Sequence, residues 1–276
     1  MKQFKGKAIY NPSGKAGEYA QWACNFYVGC SNGCEYCYCK KGRLAGTMGG
    51  DKAVLKKCFR DEQHAMDIFC TEMATNEREL QQHGLFFSFT TDPLLPETYR
   101  LTLRAMELCL SWNIPVKILT KRVDWNILLN IGYLRNAYKN LSFGFTLTGH
   151  DELEPGASTN AKRINTMRFL HEKGFKTFAS IEPIIDVNAS LLMIQKTVGF
   201  CDLYKIGLMA GKKYDQMELL VMMRWIEHDL PNTPIYYKDS FLKQSGITRE
   251  ELPANCVGRD YKLHEETLMH TSNCHG

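Results

Sequence analysis

The chain has 276 residues, 44% of them hydrophobic, enough to bury one large core in a single α/β domain. Its net charge of +4 is too slight to mark a nucleic-acid binder by itself, and no apolar run is long enough to cross a bilayer. No apolar export signal follows Met1, and the eleven cysteines are odd in number with four of them between Cys30 and Cys39, which favours reduced thiols in a cytoplasmic protein over a disulfide scaffold.

Residues 1–24 read as an N-terminal extension. From there β-type runs at 25–29, 85–90, 115–120, 141–147, 176–181 and 203–207, with a seventh candidate at 234–237, alternate with helical patterns at 62–82, 97–112, 125–139, 159–173, 189–198 and 216–229. That alternation predicts successive βαβ units around a parallel sheet, and several of the runs are apolar on both faces, as buried parallel strands are. Asp215 and Glu218 form a capping-box pattern before the last helix, while Gly84 and Gly174 stand where helices should stop. The expected architecture is α/β, a partial (β/α)6 barrel over 25–240 with a short irregular C-terminal extension over 241–276. In such barrels the chemistry gathers on the loops after the strands' C-terminal ends.

The first strand runs into Gly29-Cys30-Ser-Asn-Gly-Cys34-Glu-Tyr-Cys37, a C-x3-C-x2-C spacing that brings three thiolates into one small volume. A four-cysteine cluster is closed, whereas three cysteines leave one iron able to take an outside ligand. Cys39 or Cys24 could instead complete a zinc knot or a closed cluster, but zinc ligands usually come in paired C-x2-4-C units. Cys58, Cys70, Cys109 and Cys201 read most simply as buried small hydrophobes. Cys256, His264, His270, Cys274 and His275 lack tight spacing, so a loosely packed tail is preferred to a second metal site.

The cysteine spacing, with Tyr36 directly before the third cysteine, resembles the radical S-adenosylmethionine (SAM) superfamily. The resemblance implies a [4Fe–4S] cluster on Cys30, Cys34 and Cys37, SAM as second cofactor, and reductive SAM cleavage to a 5′-deoxyadenosyl radical that takes hydrogen from a substrate. Beyond the cluster the order of motifs is similar to the spore photoproduct lyase-like branch, often labelled DNA repair photolyase. The pieces are Phe26-Tyr-Val-Gly-Cys30 with the cysteine loop through Tyr38, Thr90-Thr-Asp-Pro-Leu-Leu-Pro-Glu97, Leu119-Thr-Lys121, Phe145-Thr-Leu-Thr-Gly149 and Ser180-Ile-Glu-Pro183. Each falls at the C-terminal end of an expected strand. By this resemblance Tyr36 lies against the SAM adenine, and Thr91, Asp92, Lys121, Thr146, Ser180 and Glu182 line the SAM pocket. The chemistry agrees, since SAM offers a carboxylate, an ammonium, a ribose diol and an adenine. The plain alternatives are a solvated lysine, hydroxyls capping helices, and a turn at Asp92-Pro93. One position departs: spore photoproduct lyases carry a hydrogen-donating cysteine at the end of the second strand, where this chain has Thr90.

The expected substrate is a nucleic acid or nucleotide. Lys40, Lys41, Arg43, Lys121, Arg122, Lys212, Lys213 and Lys238 follow strands or the cysteine loop, with Tyr38, Tyr214, Tyr236 and Tyr237 nearby to stack bases. Asp151, Glu152, Glu154 and Asp186 fall on the same rim and oppose it. An external one-electron reductant of flavodoxin or ferredoxin type is the expected protein partner. A peptide, a small metabolite or a partner enzyme awaiting activation could replace the nucleic acid, and a non-catalytic electron-transfer or zinc module is the rival from another class.

Overall fold

Alternation of side chains along the strands separates two cores in a computed structural model, which describes residues 3–124, 139–259 and 261–263. The strands among these residues are β1 (Ile9–Tyr10), β2 (Ala23–Cys24), β3 (Tyr27–Val28), β4 (Val54–Leu55), β5 (Leu85–Phe87), β6 (Val116–Thr120), β7 (Leu141–Thr146), β8 (Lys176–Ile184), β9 (Tyr204–Leu208) and β10 (Ile235–Tyr237). Eight form one sheet in the order β1-β2-β5-β6-β7-β8-β9-β10. All its pairs are parallel except β1 with β2. β3 and β4 make a separate antiparallel pair.

On one face, Leu85, Phe87, Val116, Ile118, Phe143, Phe145, Ala179, Ile181, Tyr204 and Ile206 pack with helix residues such as Phe69, Met106, Met167, Ile194 and Met222. On the other, Ala23, Phe86, Phe178, Leu203 and Tyr236 cluster with Tyr19, Ala20 and Leu263. The helices thus serve one face only, the arrangement that curls a parallel sheet toward a barrel with an inner core. A fully buried aromatic such as Phe178 holds about 3–5 kcal/mol against truncation to alanine.

The expected α/β alternation is present, with three local differences. The parallel part of the sheet starts at Ala23–Cys24; the expected strand at 25–29 is split off, because Tyr27 and Val28 pair with β4 instead. The helix expected over 62–82 breaks at Asn76, whose Nδ2 donates to the Glu72 carbonyl, leaving helices Glu62–Thr75 and Glu77–His83. β8 runs on to Ile184 and so carries Glu182 within the strand. Helix ends follow the expected chemistry elsewhere: the Asp215 carboxylate accepts from the Glu218 amide at 3.0 Å, and Gly84 stops its helix at φ +73°. The helix expected at 125–139 lies, but for its last residue, outside the described residues, as do His264, His270, Cys274 and His275. Cys109 and Cys201 are buried as expected, whereas Cys58 and Cys70 are exposed, because they fall on the solvent side of their segments.

The loop joining β1 to β2 crosses the seam between the two edges of the sheet. Its Glu18 accepts from the Asp239 amide at 2.7 Å, and the Lys238 ammonium on the far edge donates to the Lys15 carbonyl at 3.0 Å. Residues 255–257 run alongside β10, with Val257 N donating to the Ile235 carbonyl at 2.8 Å.

Candidate functional site

The cysteine loop leaves β3 at Gly29, whose φ of +80° is open to glycine and whose missing Cβ would collide with the Lys52 carbonyl oxygen. Asp92, after β5, then fastens it. Its Oδ2 accepts from Asn32 Nδ2 and from the Lys121 amide, both at 2.8 Å, and its Oδ1 from Thr120 Oγ1 at 2.7 Å and the Leu94 amide at 3.0 Å. Four donors saturate this carboxylate and tie the loop to the ends of β5 and β6. From the other side Glu35 N donates to the Leu153 carbonyl at 3.0 Å and Gly156 N to the Asn32 carbonyl at 2.9 Å. The Tyr36 hydroxyl donates to Glu154, which in turn accepts from the fully buried Arg163.

A cavity of about 320 Å³ opens at these strand ends, within the size range of small-molecule sites. Cys30, Cys34, Cys37 and Tyr36 line it, and so do Thr91, Asp92, Lys121, Thr146, Ser180 and Glu182, the residues named from the sequence for the cluster and the SAM pocket. Two buried atoms along the wall have no hydrogen-bond partner, Thr91 Oγ1 and Asn32 Oδ1. A polar ligand would satisfy both. No three His, Cys, Asp or Glu side chains among the described residues gather as one metal ion would require, but an iron–sulfur cluster spreads its cysteines over separate irons. Three thiols on one wall, with unpartnered polar atoms beside them, fit a cluster together with a polar ligand.

Electrostatics bind the thiols to Lys121. Burial pushes the Cys30 thiol up to about 11 and raises Cys34, and in both the nearby Lys121 ammonium pulls the other way. Cys37 is drawn down to about 6, first by a hydrogen bond from the Cys39 thiol, which is itself raised. Burial opposes the charge of Lys121, but Cys34 and Glu154 outweigh it and raise its pKa. Its Nζ sits 5.6 Å from the Tyr36 ring centroid, a cation–π contact.

The opposite wall holds a network that sequence reasoning missed in part. Tyr19, from the seam-crossing loop, lies 2.5 Å from Ser180 Oγ and donates to Glu182 Oε2 at 2.7 Å. Burial, then the Glu182 charge, raises its phenol well above the ordinary value. The Lys238 ammonium reaches both Glu182 oxygens at 2.9 and 3.0 Å and Glu18 at 3.7 Å. A Cβ on Gly207 would stand 2.7 Å from Lys238 and 2.8 Å from Glu182, so only glycine leaves room for the pair. Behind it Lys205 donates to the Glu18 and Tyr19 carbonyls at 3.1 Å. Burial, with Lys117 and Lys238 close by, drives its pKa far down; a neutral amine still makes both bonds. Nothing periodic marks Tyr19 in the sequence, since its role depends on the loop crossing the seam.

Several expected rim groups are not on the rim. Lys238, Glu154, Tyr236 and Tyr237 are buried: the two tyrosines pack into the cores on opposite faces of β10, Lys238 follows that strand against Glu182, and Glu154 lies under the cysteine loop against Arg163. Lys40 pairs with Asp51, and Arg122 donates to the Gly156 carbonyl. Lys41, Lys212 and Lys213 stay exposed, with Lys212 4.9 Å from the Tyr214 ring centroid. Thr90 is buried and donates to the Tyr27 carbonyl at 2.6 Å.

After β7, His150 bridges Glu152 at 2.6 Å and Asp186 at 2.5 Å. Burial lowers its pKa, but the hydrogen bonds and charges of the two carboxylates outweigh it, and the net shift is upward. A raised folded pKa means that the contribution to stability is full below the ordinary histidine value of about 6.5 and fades as pH rises through the raised one. Thermal melts of wild type and His150→Gln should therefore differ at pH 6 and converge by pH 9; a gap that widens with pH would contradict this.

No protein-family model matches the chain. An uncharacterized protein of Methanocaldococcus jannaschii is 24% identical over 213 residues, 73% of this chain and 74% of that one. A cysteine-to-alanine variant of spore photoproduct lyase superposes with a TM-score of 0.58 at 15% identity, covering 85% of this chain and 79% of that one. Spore photoproduct lyase complexed with dinucleoside spore photoproduct gives 0.52 at 17% identity, covering 83% and 64%. No helix among the described residues is long and apolar enough to cross a membrane. The chain therefore shares its fold, over most of its length, with spore photoproduct lyase.

Proposed function

We propose that the protein is a radical SAM enzyme, with Cys30, Cys34 and Cys37 holding a [4Fe–4S] cluster and SAM bound in the adjoining cavity. The observation that carries the reading is the convergence on one cavity of three thiols and seven further side chains, all chosen from sequence motifs. When bound, the pair supplies reductive cleavage of the SAM sulfonium and with it a 5′-deoxyadenosyl radical. The chain's own residues then have distinct tasks. Lys121 offsets the negative charge that three thiolates gather. Thr91 and Asn32 offer unpaired polar atoms to the ligand. Asp92, with its carboxylate saturated, holds the cysteine loop in register rather than contacting the ligand through those oxygens. Ser180 and Glu182, tied to Tyr19 and Lys238, form a polar far wall.

The substrate we favour is a nucleic acid. A spore photoproduct lyase sharing this fold has been seen with a dinucleoside spore photoproduct, and Lys212 and Lys213 are exposed after β9. Repair of that lesion through a thiol at Thr90 is not part of the proposal, because a hydroxyl is a far poorer hydrogen-atom donor and this one is already engaged. An odd count of eleven cysteines, four of them within residues 30–39, supports a reducing, cytosolic setting.

The test is anaerobic reconstitution, iron counting and an assay for 5′-deoxyadenosine with dithionite. Four irons per chain and SAM cleavage are expected; one zinc per chain without iron uptake would refute the reading. Charge reversal at Lys212 and Lys213 should weaken DNA or RNA binding, with a salt slope shallower by about 0.7–0.9 per lost phosphate contact, and leave uncoupled cleavage intact. Salt-insensitive binding to peptides alone would move the substrate to a polypeptide.

A further inference from the structure

We propose that segment 38–57, which joins the cysteine loop to β4 and runs just past it, is the docking surface for an acidic one-electron donor protein. The proposal rests on the reading of the site just given and supplies the partner that reading requires. Charge is the first observation. Residues 38–57 carry six lysines and arginines against one aspartate, a net +5, whereas the whole chain carries +4, so the rest of the protein sums to −1. The one acid, Asp51, pairs with Lys40, while Lys41, Lys52 and Lys57 are exposed. Apolar exposure is the second. Seven large hydrophobic side chains are exposed among the described residues, and two of them face solvent here, Leu44 at 37% and Val54 at 56%, while Tyr38, half-exposed, opens toward the cavity. Exposed apolar groups ringed by charge of one sign are the mark of a protein-binding face.

Position is the third. The segment folds back onto the cysteine loop, where Gly29 N donates to the Met48 carbonyl at 3.2 Å and Cys30 N to the Gly50 carbonyl at 2.9 Å. Its Tyr38, Met48 and Gly50 line the cavity on the inside, while Lys41, Leu44, Lys52 and Val54 face solvent. A single layer of chain therefore separates the cysteines from solvent at this point. An electron can cross such a wall, and a substrate cannot. The donor is oxidised by one electron in each encounter and leaves again, which suits a small, charge-steered contact rather than a large apolar one. A nucleic acid would be drawn by the same charge, but it has no use for the exposed Leu44 and Val54.

The deciding variant is Lys52→Glu/Lys57→Glu, which touches neither the cavity nor the exposed lysines after β9. 5′-Deoxyadenosine formation is measured with dithionite and, in parallel, with reduced flavodoxin, an acidic one-electron donor, at low and moderate salt. Binding of oxidised flavodoxin is titrated separately, so that one readout does not depend on turnover. Dithionite-driven cleavage should stay within about twofold of wild type, while the flavodoxin-driven rate and flavodoxin affinity at low salt fall at least about tenfold and lose their salt dependence. Equal flavodoxin affinity for variant and wild type overturns the proposal whatever the cleavage assay gives. Unchanged flavodoxin binding with lost binding of a single-stranded DNA oligonucleotide would reassign the surface to nucleic acid. Absence of dithionite-driven cleavage in wild type would overturn the reading of the site, and the flavodoxin titration would still decide the surface.

Discussion

Single replacement of Cys30, Cys34 or Cys37 by alanine is expected to reduce SAM cleavage to background and to strip most of the iron, whereas Cys39→Ala keeps both. The three residues share one cavity wall and one cation, Lys121, which acts on each of them. A site with three cysteines and one open iron has no spare ligand, so losing a thiolate leaves two irons without protein support. Cys39 also lines the cavity, but its thiol is committed to neighbours, to Cys37 and more weakly to the Phe89 carbonyl at 3.8 Å. Its removal costs a hydrogen bond rather than a ligand. Iron content and 5′-deoxyadenosine yield, measured on all four variants beside wild type, check this. Loss of iron from Cys39→Ala alone would mean a closed four-cysteine cluster, and the open-iron reading would fall.

What was readable before the structure follows from the range of each interaction. The cysteine loop could be found because its ligand spacing is local, and the strand-end motifs because parallel strands and their helices impose a regular alternation. Lys121 and Glu182 were picked on the same grounds, and both line the cavity. Their partners were not legible. Glu182 is held by Tyr19, 163 positions away in sequence, and by Lys238, 56 positions away. Such pairings depend on a loop crossing the seam of the sheet, for which no periodic signal exists. Charges that follow strands are expected on the rim because most such groups are solvated, yet Lys238 and Glu154 are buried, each against an opposite charge. The early split of the first strand escaped for a related reason. Residues 23–28 are apolar but for Asn25 and buried up to Tyr27, so pattern alone does not say where one pairing ends and the next begins.

Arg163→Met is expected to cost about 3–5 kcal/mol of stability, the usual consequence of leaving one member of a buried ion pair alone. At about 2–4 °C per kcal/mol for chains a little smaller than this, the melting temperature should fall by roughly 6–20 °C. Neither the Arg163 nor the Glu154 side chain is exposed at all. The guanidinium also donates from Nη1 to the Thr146 carbonyl at 2.6 Å and stands 3.7 Å from Asp151. Without it the Glu154 carboxylate keeps the Tyr36 hydroxyl as its hydrogen-bond partner and the Lys121 charge nearby, and the pKa of that phenol is already raised far above the ordinary value by burial and the Glu154 charge. Arg163→Met/Glu154→Leu should recover most of the loss, because removing both charges together is close to neutral. Recovery should stop short by about 1–3 kcal/mol, the cost of a buried phenol with no acceptor. That remainder falls on Tyr36, directly between Cys34 and Cys37, in a loop whose Glu35 amide leans on Leu153. The double variant should therefore melt above the single variant yet bind SAM more weakly than wild type, a split that a purely structural ion pair would not produce. Calorimetry together with SAM titration on both variants checks it, and full recovery of SAM affinity in the double variant would reduce the Arg163–Glu154 pair to a packing element of the loop.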